Sequence, residues 1–97
     1  MQLEEIKQQA ALLTDTFTQM TPSLRNKQIK SEGFGEHERK AVKIMREDPV
    51  KGSWYVLLHR LCKNRGFVVV EVQTTKSVFY FNHFEAFYNF CNKNVDV

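Results

Sequence analysis

Residues 53–81 read SWYVLLHRLCKNRGFVVVEVQTTKSVFYF, and the two halves of this stretch follow different hydrophobic periods. In residues 53–65 the apolar side chains recur at i, i+3, i+4, i+7 and i+8, which is the spacing of one helix face. The same run can be interpreted as a strand over residues 54–61, but Leu57 and Leu58 would then point to opposite faces. The helix is the favoured interpretation, and the strand is kept as the alternative.

The second half predicts an antiparallel hairpin. Residues 67–73 are dominated by β-branched side chains and predict a strand. Residues 78–81 predict a second strand, and the short polar segment 74–77 between the two predicts the turn.

A helix is predicted after the hairpin. Asn82 can cap its N-terminus, and Glu85, three residues later, would complete a capping box. We expect this helix to run to about Asn94. Its apolar face is formed by Phe84, Phe87, Tyr88 and Cys91.

The N-terminal segment, residues 2–20, predicts an amphipathic helix that ends before Thr21-Pro22. Its apolar side chains recur at alternating spacings of three and four. A face of this kind packs on its own domain or forms a dimer seam with a second helix. The first interpretation is favoured, because the pattern covers fewer heptads than a coiled coil needs. The candidate protein-interaction residues of the seam are Leu3, Ile6, Leu13 and Phe17.

Between these elements, residues 22–35 predict a loop with at most one short helical turn after Thr21-Pro22. Residues 36–47 predict a helix that is stopped by Asp48-Pro49. The whole chain, residues 1–97, is therefore expected to form one small α+β domain of order α-α-α-β-β-α. The runner-up order, α-α-β-β-β-α, follows if residues 54–61 form a strand.

Composition is that of an ordinary globular domain, with 42% hydrophobic and 26% charged residues. The longest unbroken apolar run, residues 54–58, is far shorter than the roughly 20 residues of a membrane-spanning helix. The acidic, polar N-terminus is not typical of a signal or transit peptide. Cys62 and Cys91 form no CxxC motif and are expected to be reduced thiols. The sequence thus predicts a cytoplasmic protein with no membrane partner.

No catalytic motif is present. The three histidines, His37, His59 and His83, are far apart and share no motif, and the chain has no GxSxG, P-loop or HExxH sequence. A zinc site from His59, Cys62, His83 and Cys91 would match no standard spacing. We therefore expect no enzyme activity, no metal and no cofactor.

Basic residues are concentrated in the middle of the chain. The net charge is +3, and residues 36–66 carry eight basic and four acidic groups. A local surplus of this kind suits an anionic partner, although a solvated helix face produces the same count.

The predicted order α-α-α-β-β resembles the core of a winged-helix domain, in which a hairpin follows the recognition helix. This resemblance rests on element order and not on a sequence motif. It implies that residues 53–65 would be the recognition helix. The candidate nucleic-acid-binding residues are then Tyr55, His59, Arg60, Lys63 and Arg65, with Lys76 at the tip of the wing.

Two binding functions follow from these patterns. The apolar face of the first helix and the aromatic last helix favour a protein-interaction module, such as a small adaptor or inhibitor, whose partner is another protein or a second copy. The basic middle of the chain favours a nucleic-acid-binding regulator, which is the alternative. An enzyme ranks last.

Overall fold

The computed structural model describes residues 1–93, which fold into five α-helices, one 3-10 turn and a two-stranded antiparallel sheet. This confirms the predicted α+β class. In chain order the elements are α1 (Leu3–Thr18), α2 (Pro22–Glu32), the 3-10 turn (Gly35–His37), α3 (Glu38–Glu47), α4 (Pro49–Cys62), β1 (Val68–Val72), β2 (Ser77–Phe81) and α5 (Phe84–Asn92).

The prediction of a loop over residues 22–35 is wrong, because α2 occupies most of it. The Thr21 side chain caps the helix by accepting a hydrogen bond from the Leu24 backbone N–H at 3.3 Å. The helix ends at Gly33, whose φ of 78° is left-handed. Its residues are mostly polar, and Ile29 is its only fully buried apolar side chain. The helix therefore lacks the apolar period by which the other helices are predicted.

Residues 54–61 are helical, which excludes the strand alternative and the runner-up order. The helix α4 begins at Pro49, four residues earlier than predicted. Asp48 caps it, since its carboxylate accepts from the backbone N–H groups of Val50 at 3.1 Å and Lys51 at 3.2 Å. The predicted start at Ser53 is wrong because the Asp48-Pro49 pair, which ends α3, also starts α4.

The predicted capping box of α5 does not form. The N-cap is His83 and not Asn82, so Glu85 occupies the second helical position instead of the third and cannot reach back to the cap. Glu85 instead forms an ion pair with Lys51 Nζ at 3.4 Å. The helix ends at Asn92, and Asn94, the predicted end, lies outside the described residues.

Helix α4 lies at the centre of the molecule and packs against α1, α3, α5 and β1. One side of it faces a core formed with α1, the hairpin and α5, and the other faces a second core formed with α2 and α3. Gly52 allows the closest approach, because a Cβ there would lie 2.6 Å from the Met45 Cα of α3.

The sheet packs on the helices through one face. β1 and β2 pair from Val68 opposite Phe81 to Val72 opposite Ser77. The side chains of Val68, Val70 and Val72 are buried in the core. No helix in the described part of the chain is long and apolar enough to cross a membrane.

Candidate functional site

The predicted interaction seam of α1 is part of the domain's own core. Leu3, Ile6 and Phe17 are buried, and Leu13 is half-buried between the two cores. The favoured interpretation of α1 as a core helix is therefore correct. A second helix could not pack on these side chains in this structure, because the domain itself covers them. The four candidate residues are Leu3, Ile6, Leu13 and Phe17.

Three of the predicted nucleic-acid-binding residues make internal contacts. Arg60 donates to the Glu32 carboxylate, with Nε at 2.8 Å from Oε1, and His59 Nε2 lies 3.1 Å from the Glu32 carbonyl oxygen. Tyr55 packs between Phe34, with ring centroids 5.6 Å apart, and Phe84, at 5.0 Å. These contacts hold α4 against the elements around it.

The side chains of Arg60 and Glu32 shift each other's pKa. Hydrogen bonding from Arg60 lowers the pKa of the Glu32 carboxyl and outweighs the opposing effect of burial, and the same bond raises the pKa of Arg60. The Glu32 side chain is 8% exposed and that of Arg60 is 43% exposed. The pair therefore joins α4 to α2 at the margin of the core.

The remaining basic candidates lie near the two ends of the hairpin. Lys63 and Arg65 are exposed at the base of the hairpin, whereas Lys76 lies in the turn at its opposite end, with a left-handed φ of 57°. Nucleic-acid binding through these residues stays a prediction.

The four candidate zinc ligands do not converge. Cys91 is fully buried in the core, and burial raises the pKa of its thiol to about 12. Within residues 1–93 no three metal-ligating side chains are grouped so that they could hold an ion. Cys62 lies apart from Cys91 and donates its thiol to the Phe81 carbonyl oxygen at 3.8 Å.

All three histidines nevertheless line one surface groove of about 290 Å³. His37 comes from the 3-10 turn, His59 from α4 and His83 from the N-cap of α5. We call this the histidine groove. Its other lining residues are Phe34, Lys40, Tyr55, Leu58, Cys62, Asn82, Phe84 and Glu85. No sequence pattern indicates this groove, because the histidines are brought together only by the packing of α4 against α3 and α5.

The Cys62 thiol also lines the histidine groove. Burial raises the pKa of Cys62, so the protonated form is favoured, and the thiolate is the reactive species of cysteine. The groove thus resembles a binding cleft, with apolar walls and a few polar groups. The expectation that the protein has no enzyme activity stays a prediction.

A second exposed feature lies on β2. The side chains of Val78, Phe79 and Tyr80 are 49%, 38% and 66% exposed, and we call these three residues the β2 edge. Phe79 contacts Phe90 of α5, with ring centroids 4.7 Å apart, and Tyr80 contacts Phe67 at 5.7 Å. The edge is therefore apolar on both faces of the sheet.

The outer side of β1 is covered by the N-terminus. The Met1 amino group donates to the Val69 carbonyl oxygen at 2.8 Å, and the Glu71 N–H donates to the Met1 carbonyl oxygen at 2.8 Å. Residues 69 and 71 thus direct their backbone groups away from β2.

This arrangement fixes the direction of the backbone groups of β2. Val69 lies opposite Tyr80, and Glu71 lies opposite Val78. Opposite residues of an antiparallel pair exchange either both hydrogen bonds or none. Val78 and Tyr80 therefore direct their N–H and C=O groups away from β1, where the described part of the chain adds no further strand.

The β2 edge lacks two common protections against pairing. Ser77–Phe81 contains no charged residue and no proline, which are the common means of blocking an exposed strand.

Comparison with known proteins gives no relative: no protein family, no curated protein and no solved structure matches the chain.

Proposed function

We propose that this protein is a protein-interaction module that pairs through the β2 edge, and that its partner there is a second copy of the chain. The observation that carries the proposal is the combined exposure at Val78 and Tyr80. At both residues the side chain and the backbone hydrogen-bonding groups face solvent. An incoming strand would satisfy the backbone groups and cover the apolar side chains together.

The register of β2 is self-complementary. Val78 and Tyr80 flank Phe79, so a two-fold axis through Phe79 places Val78 of one copy opposite Tyr80 of the other. These are the residues with outward backbone groups, and the two symmetric pairs would therefore exchange their hydrogen bonds. The pair of a β-branched and an aromatic side chain is also a favourable cross-strand combination.

No like charges lie opposite each other near the two-fold axis. In the same register Lys76 of one copy faces Asn82 of the other, so no like charges oppose each other. On the helix side, Phe79 and its neighbour Phe90 would approach their own symmetry copies, which removes the remaining exposed aromatic surface from water.

Pairing would also strengthen the sheet. A two-stranded hairpin is the minimum sheet and gains stability from additional strands. Two copies joined at β2 form a four-stranded sheet of order β1-β2-β2-β1. Its outer edges are the β1 strands, which the N-termini already cover, so the assembly would close at two chains.

The test is the mass of the protein by sedimentation from about 1 µM to 1 mM, a range that covers weak to moderate dimers. We expect the mass to rise from one chain to two. Tyr80→Lys places a charge on the strand edge and is expected to weaken the dimer by about tenfold or more. Leu12→Lys is the matched control, since Leu12 is 67% exposed on α1, away from the sheet.

Two results contradict the proposal. One is a mass of a single chain over the whole range. The other is a dimer that Leu12→Lys weakens as much as Tyr80→Lys does. Circular dichroism of both variants establishes that each is folded before the masses are compared.

A further inference from the structure

We infer that the histidine groove binds a small planar aromatic anion, that is, a single ring carrying a carboxylate or a phosphate. The inference uses different observations from pairing at the β2 edge, because Val78, Phe79 and Tyr80 do not line the groove.

The walls of the groove suit a flat ring. Phe34 stacks on His59, with ring centroids 4.1 Å apart and an interplanar angle of 28°. Phe34 also stacks on Tyr55, and Tyr55 meets Phe84 edge to face. Aromatic side chains of Phe34, which precedes the 3-10 turn, of α4 and of α5 thus line the groove, and offset or edge-to-face contacts with these rings favour an aromatic ligand.

The charge of the groove favours an anion. Lys40 makes no ion pair with any of residues 1–93, and its Nζ lies 5.8 Å from the centroid of the Tyr55 ring, over the groove wall. The one acidic lining residue, Glu85, is engaged by Lys51. The ring of such a ligand would contact the aromatic wall, and its acid group would pair with the ammonium group of Lys40.

The exposed imidazoles add donors at the rim. The His83 side chain makes no capping bond to α5, and the His37 side chain, which is 64% exposed, lies 3.7 Å from the exposed carboxylate of Glu36. An exposed contact of this kind is weak and is readily exchanged for a ligand. His59 differs, because its Nε2 is already held by the Glu32 carbonyl group, and it contributes a ring face instead.

The size of the groove limits the ligand. At about 290 Å³ it lies at the lower end of small-molecule sites, which usually measure about 300–1,000 Å³. One ring with one acid group fits this volume, whereas a larger cofactor would extend into solvent.

The experiment is a titration of isotope-labelled protein, followed by amide chemical shifts, with four probes that separate ring from charge. Benzoate and phenyl phosphate carry both features, cyclohexanecarboxylate carries the charge alone, and benzylamine carries the ring with the opposite charge. We expect saturable shifts at residues 34–40 and 82–85 with a Kd of about 1 mM or lower for benzoate or phenyl phosphate. The tighter of these two identifies the acid group.

Variants test the role of the lysine. Lys40→Met is expected to weaken the better probe by about tenfold, since it removes the cation from the groove. Lys43→Met, one turn further along α3 and also exposed, is the matched control and should bind as the wild type does. His83→Gln, on the opposite rim, is expected to cause a smaller loss.

The inference is overturned if benzylamine or cyclohexanecarboxylate binds as tightly as the aromatic anions. It is equally overturned if the shifts do not saturate, if they map outside the groove, or if Lys43→Met and Lys40→Met lose affinity alike. All titrations are made on the folded variants, as judged by their amide spectra.

Discussion

Helix α4 and strand β2 both carry aromatic side chains, but they differ in what surrounds them. α4 is enclosed by α1, α3, α5 and β1, and its polar residues His59 and Arg60 are held by Glu32. β2 is bonded on one side only and exposes Val78 and Tyr80. The basic and aromatic side chains of α4 therefore serve packing in large part, whereas the apolar side chains of β2 are left exposed. Exposure, and not residue type, separates the two regions.

Because α4 is enclosed, we expect substitutions in it to lower the free energy of unfolding. The largest effect is expected for Gly52→Ala, because the new Cβ would lie 2.6 Å from the Met45 Cα, a backbone atom that cannot move aside alone. We expect a loss of about 1–3 kcal/mol in the free energy of unfolding, measured with urea, as for other overpacked cores. Alanine usually stabilises a helix relative to glycine, so a gain in stability would show that α3 and α4 are not in close contact.

A smaller effect, dependent on pH, is expected for Glu32→Gln. The pKa of Glu32 is lowered in the folded state, so its charge stabilises the fold above the usual glutamate pKa of 4.5 and this stabilisation is lost as the pH falls through the lowered pKa. At pH 7 we expect the variant to be less stable by about 1–2 kcal/mol, because a charged hydrogen bond at the margin of the core is removed.

Urea unfolding of this variant and the wild type between pH 7 and pH 2 checks the prediction, and the two curves should converge at the acidic end. Glu36→Gln is the control, since the Glu36 side chain is 88% exposed. A difference between wild type and Glu32→Gln that stays constant with pH would contradict the role assigned to the ion pair.

The smallest effect on folding is expected for Tyr80→Lys in β2. Because the side chain is 66% exposed, the free energy of unfolding of the monomer should change by less than about 0.5 kcal/mol. Measured at a concentration where only monomer is present, a loss as large as that of Gly52→Ala would show that Tyr80 supports the fold and not an interface.

The elements with a strong apolar period could be predicted from the sequence. α1, α3, the hairpin and the helical state of residues 54–61 follow from the spacing of buried side chains. α2 could not be predicted in this way because it buries little besides Ile29, and its local signals are limited to its ends, at Thr21-Pro22 and Gly33. The start of α5 was misplaced by one residue, since Asn82 and His83 both precede the first turn.

The candidate sites were harder to predict, because they depend on which side of an element faces solvent. The three histidines meet only after α4 is placed between α3 and α5. The β2 edge did leave a signal: in a hairpin with one buried face the outward residues are usually polar, whereas positions 78 and 80 are Val and Tyr. The same alternation would identify such an edge in other short hairpins.

Amide hydrogen exchange in β2 tests the central claim most directly. The Phe79 and Phe81 amides are bonded to β1 in every state, whereas those of Val78 and Tyr80 face solvent in the monomer. At about 10 µM protein we expect Val78 and Tyr80 to exchange much faster than Phe79, and at about 1 mM to become protected as the dimer forms. Fast exchange of Val78 and Tyr80 at both concentrations would contradict pairing of two chains through β2.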